Sequence, residues 1–336
     1  ASLGAGLLLA AAGWGAMALM WQVPLGISFM ALDGVRSVLQ HRYELRPEAV
    51  SRMAAVCKPG IKFGFFRIIS GVLSGGRPMM EGVMMVSASG YALLGQVNRA
   101  VGLPNQFLGR VPTLLQGMLQ PFLAAREMQG MDSLRRANRI ILSGAVWLLL
   151  PVAGLLFEWG AWVASVLYGK RWEAVGPLVR IACLYCLSSA VLQVGISMLN
   201  ARRRSHVSAV LDGIGFVGIA VGLYFLERGG APAYLVSVGL FQLVALVLML
   251  VRLVREELLT ARDVLEITVY PAILAGGLFV APWIGDDGGL GLWAGVGRSI
   301  VALVLYVLYF RFFAAERLRS LVEASGTGKW IGWVVR

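Results

Sequence analysis

The stretch Arg139-Ile-Ile-Leu-Ser-Gly-Ala-Val-Trp-Leu-Leu-Leu-Pro-Val-Ala-Gly-Leu-Leu-Phe157 decides the fold class. After Arg139 it carries no ionisable side chain. A helix rises about 1.5 Å per residue, so a run of this length matches a hydrocarbon core about 30 Å thick. Comparable runs recur along nearly the whole chain, without the period-two alternation of a membrane β-barrel. They predict an all-α, polytopic transmembrane helix bundle.

Composition agrees. Hydrophobic residues make up 58% of the chain and charged residues 14%, with a mean hydropathy of +0.75. Soluble domains carry roughly 45–50% apolar and about 25% charged residues. This chain has too little charge to coat a soluble globule of 336 residues. Ten spans are predicted, at 3–21, 24–40, 57–85, 87–125, 139–157, 175–200, 207–226, 232–254, 264–284 and 290–313. Beyond Ala315, apolar Leu318, Leu321, Trp330 and Trp333 recur at helical spacing, which predicts an amphipathic tail on the membrane surface. The chain opens on Ala1 with no basic leader before its first apolar run, so the N-terminus reads as truncated rather than as a signal peptide.

The net charge of +12 does not imply nucleic acid. Lys and Arg collect in alternate loops, at 42–62, 126–139, 202–204, 252–262 and 311–319, whereas the intervening loops hold only Lys170, Arg171 and Arg228. Basic loops face the cytoplasm, so the C-terminus is predicted to be cytoplasmic.

Two spans are unusual. The one at 87–125 is too long for a simple crossing and contains Pro104 and Pro112, which should break or kink it. The one at 57–85 is expected to be interrupted at Gly75-Gly-Arg-Pro78. Broken helices are tolerated in the membrane where they line a cavity, as in transporters. These spans also hold polar groups that hydrocarbon does not accept cheaply. Arg77 and Glu81 are four residues apart and are expected to pair on one helical face. Arg99, Gln106, Arg110 and Thr113 fall on one side of a roughly continuous helix. Asp33, Arg36, Arg180, Asp212 and Arg298 stand near span ends, where snorkelling to the interface is sufficient explanation.

Arg77, Arg99 and Arg110, with Gln106, are therefore expected to line a water-filled basic cavity. Guanidinium forks match diphosphate oxygens, and amides suit sugars. This pattern points to a transporter of an anionic, glycosylated substrate. No metal or cofactor site is expected. The two histidines, His41 and His206, fall in loops, and Cys183-x-x-Cys186 lies in an apolar helix and reads as packing. Gly213-Ile-Gly-Phe-Val-Gly218 spells a dinucleotide fingerprint but sits in an apolar helix with no preceding strand, so it too reads as close helix packing. No nucleophile elbow or phosphate-binding loop appears, and an enzyme is not expected.

The order of features carries a resemblance. Phe63-Gly64 through Arg77 and Glu81 is followed by Ala88-Ser-Gly-Tyr-Ala-Leu-Leu-Gly-Gln-Val-Asn-Arg-Ala100, Leu103-Pro104 and Gln120-Pro121. Leu167-Tyr-Gly-Lys-Arg-Trp-Glu-Ala-Val-Gly-Pro-Leu-Val-Arg180 and Met198-Leu-Asn-Ala-Arg-Arg-Arg204 come next. This series resembles the C-terminal lobe of the polysaccharide flippases of the multidrug/oligosaccharidyl-lipid/polysaccharide exporter superfamily. Members often carry an Asn-x-x-Asp-like element where this chain has Gly75-Gly-Arg-Pro-Met-Met-Glu81.

The resemblance implies twelve to fourteen helices in two lobes, with four helices missing at the N-terminus. Residues 1–45 would be the last two helices of the N-terminal lobe and 46–254 the six-helix C-terminal lobe. Residues 255–315 would add two helices and 316–336 the cytoplasmic tail. It implies export of a polyprenyl-diphosphate-linked oligosaccharide across a bacterial inner membrane, for lipopolysaccharide or another surface polysaccharide. Membrane lipids would be partners. The departure at Gly75–Glu81 means that no coupling role carries over from the family; the intramembrane charges by themselves make Glu81 or Asp212 the candidate coupling carboxylate for export driven by a proton or sodium gradient. The rival readings are a peptidoglycan-precursor flippase, a drug exporter, a membrane-embedded sugar polymerase or acyltransferase, and a non-transporting scaffold.

Overall fold

The fold is that of a computed structural model, which describes residues 47–268 and, beyond them, 297, 300, 304 and 307. The chain divides into two compact units, 1–61 and 62–336. In the first unit the described residues are the opening turns of one helix. The predicted spans at 3–21 and 24–40, the tail beyond 315 and most of the spans at 264–284 and 290–313 lie outside the described residues.

The helices are α1 (Pro47–Leu108), α2 (Arg110–Met128), α3 (Met131–Tyr168), α4 (Val175–Ala201) and α5 (Ser205–Arg255), with a 3-10 turn at Lys170–Trp172. By length and composition, α3, α4 and α5 can each cross a membrane. Helix α5, with 51 residues, would measure about 76 Å if straight, twice what one crossing needs. It is divided at Gly230, whose φ of 66° and ψ of −162° leave the helical region. Only glycine takes that conformation without steric cost. The predicted spans at 207–226 and 232–254 are the two halves of α5, folded against each other. A Cβ at Gly222 would sit 2.9 Å from Val238 Cγ2, and one at Gly218 would sit 2.5 Å from Phe241 Cβ. Gly218, which closes the false fingerprint, and Gly222 beyond it thus serve helix packing.

Helix α1 departs from expectation. The chain stays helical through Gly75, Gly76 and Pro78, and its break falls later, at Gly90 (φ 79°, ψ 174°). Proline removes only one ladder bond, whereas a positive φ ends the ladder outright. Pro112 has a milder effect than predicted, because Gly109 between the two helices keeps helical φ and ψ of −75° and −20°. Having no N–H, it cannot bond to the Leu108 carbonyl, and α1 gives way to α2 at Gly109, whose own N–H still reaches the Asn105 carbonyl at 3.0 Å. Pro104 stays within α1. Helix α3 runs on to Tyr168, so the long loop expected from 158 to 174 shrinks to a short turn beginning at Gly169.

The core joins α2, α3, α4 and α5 through fully buried Leu123, Leu142, Leu149, Val179, Cys183, Leu199, Leu211 and Met249. Cys183 and Cys186 are buried free thiols, consistent with packing roles. The apolar side chains outside the core, among them Val210, Val217, Leu240, Val244 and Val247 on α5, are exposed, as hydrocarbon-facing side chains must be.

At the basic end, one acidic segment gathers arginines from two loops. Arg139 Nε lies 3.1 Å from Asp263 Oδ1, and Arg139 Nη2 lies 2.8 Å from Glu266 Oε2. Arg204 Nη2 lies 3.0 Å from Glu256 Oε2, and Arg202 donates to the Glu256 carbonyl at 3.1 Å. The helical residues 261–268 start at a capping box, in which Asp263 N–H donates to Thr260 Oγ1 at 3.1 Å and Thr260 N–H donates back to Asp263 Oδ2 at 3.0 Å.

Candidate functional site: a polar cavity among the helices

Arg67, Ser70, Ser74, Arg77 and Glu81 are spaced three, four, three and four residues apart, which places them on one face of α1. All five line a cavity of about 470 Å³. Its other walls come from Tyr185, Ser189 and Gln193 on α4, Asp212 and Gln242 on α5, and Asn105 and Gln116 on α1 and α2. Guanidinium, carboxylate, hydroxyl and amide groups therefore converge inside an otherwise apolar bundle.

Arg77 is anchored to α5. Its Nη2 donates to the Asp212 backbone carbonyl at 2.6 Å and lies 3.5 Å from Asp212 Oδ1. The Ser70 hydroxyl donates to the other carboxylate oxygen, Oδ2. Both charged side chains are largely buried, at 15% and 11% exposure. A buried charge persists only when it is paired and hydrogen-bonded, which Asp212 and Ser70 together achieve. Arg77 Nε is nonetheless buried without a hydrogen-bond partner.

Glu81, one helical turn further on, is arranged differently. The Tyr234 hydroxyl lies within interaction reach of its carboxyl, and among the described residues no salt bridge involves Glu81. Tyr185 lies within electrostatic reach of both Glu81 and Arg77. The site thus holds two carboxylates in contrasting surroundings, one tied to a guanidinium and one within reach of a phenol.

The structure brings Arg77, Glu81 and Asp212 together, and it places the other predicted residues elsewhere. Arg99 stacks on the turn after α3, with its Cζ 4.9 Å from the Tyr168 ring centroid and 5.7 Å from that of Trp172. Arg110 and Gln106 do share a side, with Arg110 Nη2 3.5 Å from Gln106 Oε1, but that side is exposed. The same segment turns Val101 and Asn105 toward the cavity. The lining is also less basic than expected, because Arg67 and Arg77 are matched by Glu81 and Asp212. Asp212 is not a snorkelling end residue, since it is buried at 8% exposure.

Sequence reasoning passed over Ser70 and Ser74, although the polar stripe from Arg67 to Glu81 has a clear helical period. Tyr185, Ser189 and Gln193 recur every four residues along α4, a period that was also legible and was passed over, whereas Tyr234 and Gln242 stand among mostly apolar neighbours on α5 and gave no comparable signal.

Comparison with solved structures defines the class of fold. The lipid II flippase MurJ, in an inward closed conformation, matches with a TM-score of 0.55 at 12% identity, over 91% of this chain and 64% of that one. The fold is therefore MurJ-like, and the chain spans somewhat under two-thirds of that flippase. No curated protein matches the chain in sequence. The family described as polysaccharide biosynthesis protein matches residues 1–177, and the chain belongs to that family.

Proposed function

We propose that the protein of which this chain is a part moves a polyprenyl-diphosphate-linked oligosaccharide across the cytoplasmic membrane by alternating access. The observation that carries this reading is the cavity itself, where Arg67 and Arg77 meet a wall of serine, glutamine and asparagine. Guanidinium groups suit the diphosphate, and the neutral hydrogen-bonding groups suit the first sugars. The prenyl chain stays in the bilayer, which the exposed apolar faces of the helices adjoin. Family membership agrees with a glycan substrate. The excess of Lys and Arg in alternate loops supports a cytoplasmic C-terminus.

Two coupling carboxylates follow from their partners. Asp212 neutralises Arg77 at rest, so protonation of Asp212 releases the guanidinium for diphosphate. Glu81, within reach of Tyr234, is the second proton acceptor. Sodium has less support, because the Asp212 carboxylate already carries a guanidinium and a hydroxyl.

The test uses the full-length protein in proteoliposomes and follows transfer of a labelled polyprenyl-diphosphate oligosaccharide between leaflets. Lipid II and an organic cation serve as competing substrates. Transfer of the oligosaccharide lipid, slowed by Arg77→Ala, is the expected result. Preference for lipid II would reassign the glycan to a peptidoglycan precursor. Transport of the cation alone would overturn the reading.

A further inference from the structure

Three glycines follow one another on the first half of α5, and they differ in what faces them. At Gly213 the nearest atom to an added Cβ is Leu73 Cδ1, at 3.9 Å, an ordinary contact. At Gly218 an added Cβ would strike Phe241, across the hairpin of α5. Gly215 faces neither a packed hydrophobe nor open space. An added Cβ there would lie 2.5 Å from Arg77 Cζ and 2.8 Å from its Nη1, and closer still to Nη2. All three terminal atoms of the guanidinium group lie over this one backbone position.

The position matters because of what Arg77 does from it. With its plane laid over Gly215, Arg77 reaches back to the Asp212 carbonyl at 2.6 Å and to the Asp212 carboxylate at 3.5 Å. A methyl group at 215 occupies the same space. The guanidinium would have to lift off α5, and the direction left open is the cavity that Arg77 already lines. Lifting lengthens both contacts to Asp212, and hydrogen bonds weaken steeply with such displacement.

We propose that Gly215 is a positioning residue for Arg77. It provides the seat on which the guanidinium docks beside Asp212, so that the charge is withheld from an anionic guest until the pair opens. This deepens the flippase reading and rests on it, because the guest is taken to be a prenyl diphosphate. The charged and titratable groups around the seat are Arg67, Arg77 and Glu81 from α1, Tyr185 and Cys186 from α4, and Asp212 and Tyr234 from α5. The three heavy atoms nearest the added Cβ all belong to Arg77.

The experiment is a double-mutant cycle on the full-length protein in detergent, read in two ways. The first is the unfolding temperature without substrate. The second is binding of farnesyl diphosphate, a short and soluble prenyl diphosphate. Gly215→Ala is expected to lower Tm by several degrees in the wild-type background and to change nothing further in an Arg77→Ala background, because contacting residues are non-additive. It is also expected to tighten farnesyl diphosphate binding about fivefold, corresponding to roughly 1 kcal/mol of released pairing. Gly213→Ala should leave both readings unchanged. Gly215→Ala with Arg77→Lys should recover Tm, because the narrower ammonium clears the methyl group.

A Gly215→Ala cost that persists in full without Arg77 would overturn the seat, as would an equal cost for Gly213→Ala. Coupling in Tm with no Arg77-dependent binding of farnesyl diphosphate would leave the seat intact and overturn the diphosphate reading of the cavity. If Gly215→Ala fails to accumulate, Gly215→Ala with Arg77→Ala decides the matter, since the proposal requires that pair to fold as Arg77→Ala does.

Discussion

Arg77 on α1 and Asp212 on α5 are 135 residues apart in sequence and are joined by two contacts, 2.6 Å to the backbone carbonyl and 3.5 Å to the carboxylate. The link places a compensated charge in the wall of a cavity whose substrate is read as anionic. Either partner can be lost in two ways, by removing its charge or by removing its side chain, and the consequences differ.

Asp212→Asn keeps the shape and can still accept from Ser70, but it no longer neutralises Arg77. Binding of a short prenyl diphosphate should tighten by about threefold to tenfold, because a charge-assisted bond becomes available to the ligand. Leaflet-to-leaflet transfer should slow, since release then lacks its competitor. Equilibrium binding and single-turnover transfer measure the two effects separately, and weaker binding would contradict the role given to the pair.

Glu81→Gln keeps a polar group within reach of Tyr234 while removing a titratable proton. Transfer down a substrate gradient should survive in proteoliposomes, and its acceleration by an imposed pH gradient should disappear. Tyr234→Phe should shift the same response less severely, because it removes one hydroxyl and no charge. A variant at Glu81 that still responds fully to the gradient would remove it from the coupling scheme.

Arg99→Ala should loosen the turn after α3, where Arg99 covers the rings of Tyr168 and Trp172. A cation–π contact of this kind contributes about 0.5–1 kcal/mol at an exposed site. Lys170 and Arg171 stand within that turn, so the rate of tryptic cleavage there reports the change directly. Cleavage should be severalfold faster in Arg99→Ala and near wild type in Arg99→Lys. Equal rates for all three proteins would show that the stacking does not hold the turn.

Arg139→Ala should destabilise the basic end of the bundle by about 1–3 kcal/mol, because it leaves Asp263 and Glu266 without the guanidinium between them. Their side chains are only 9% and 13% exposed, so water cannot replace it fully. Arg262→Ala removes an 84% exposed partner of Glu266 and should change stability by less than about 0.5 kcal/mol. Thermal unfolding in detergent at low and high salt separates the two, with the Arg139 effect persisting in salt.

By itself the sequence determined that this chain is a membrane-embedded helix bundle, because the cost of unpaired backbone groups in hydrocarbon leaves few alternatives for long apolar runs. It also located α4 to within a residue and the two halves of α5, since their ends carry glycine, proline and arginine. Helix interruption was less legible. Gly75-Gly-Arg-Pro78 looked like a break, yet the chain stays helical there and breaks at Gly90, because any of several glycines can take a positive φ and composition alone does not say which one does. Periodicity on α1 placed Arg77 and Glu81 on one face but could not say what faced them. Only tertiary structure decided that Arg77 meets Asp212, that Glu81 meets Tyr234, and that Arg99 turns away to Tyr168 and Trp172. Local pattern sets which way a side chain points from its own helix. Its partner is set by the angle and depth at which another helix packs, and residues such as Gly215 fix these through the space they leave empty.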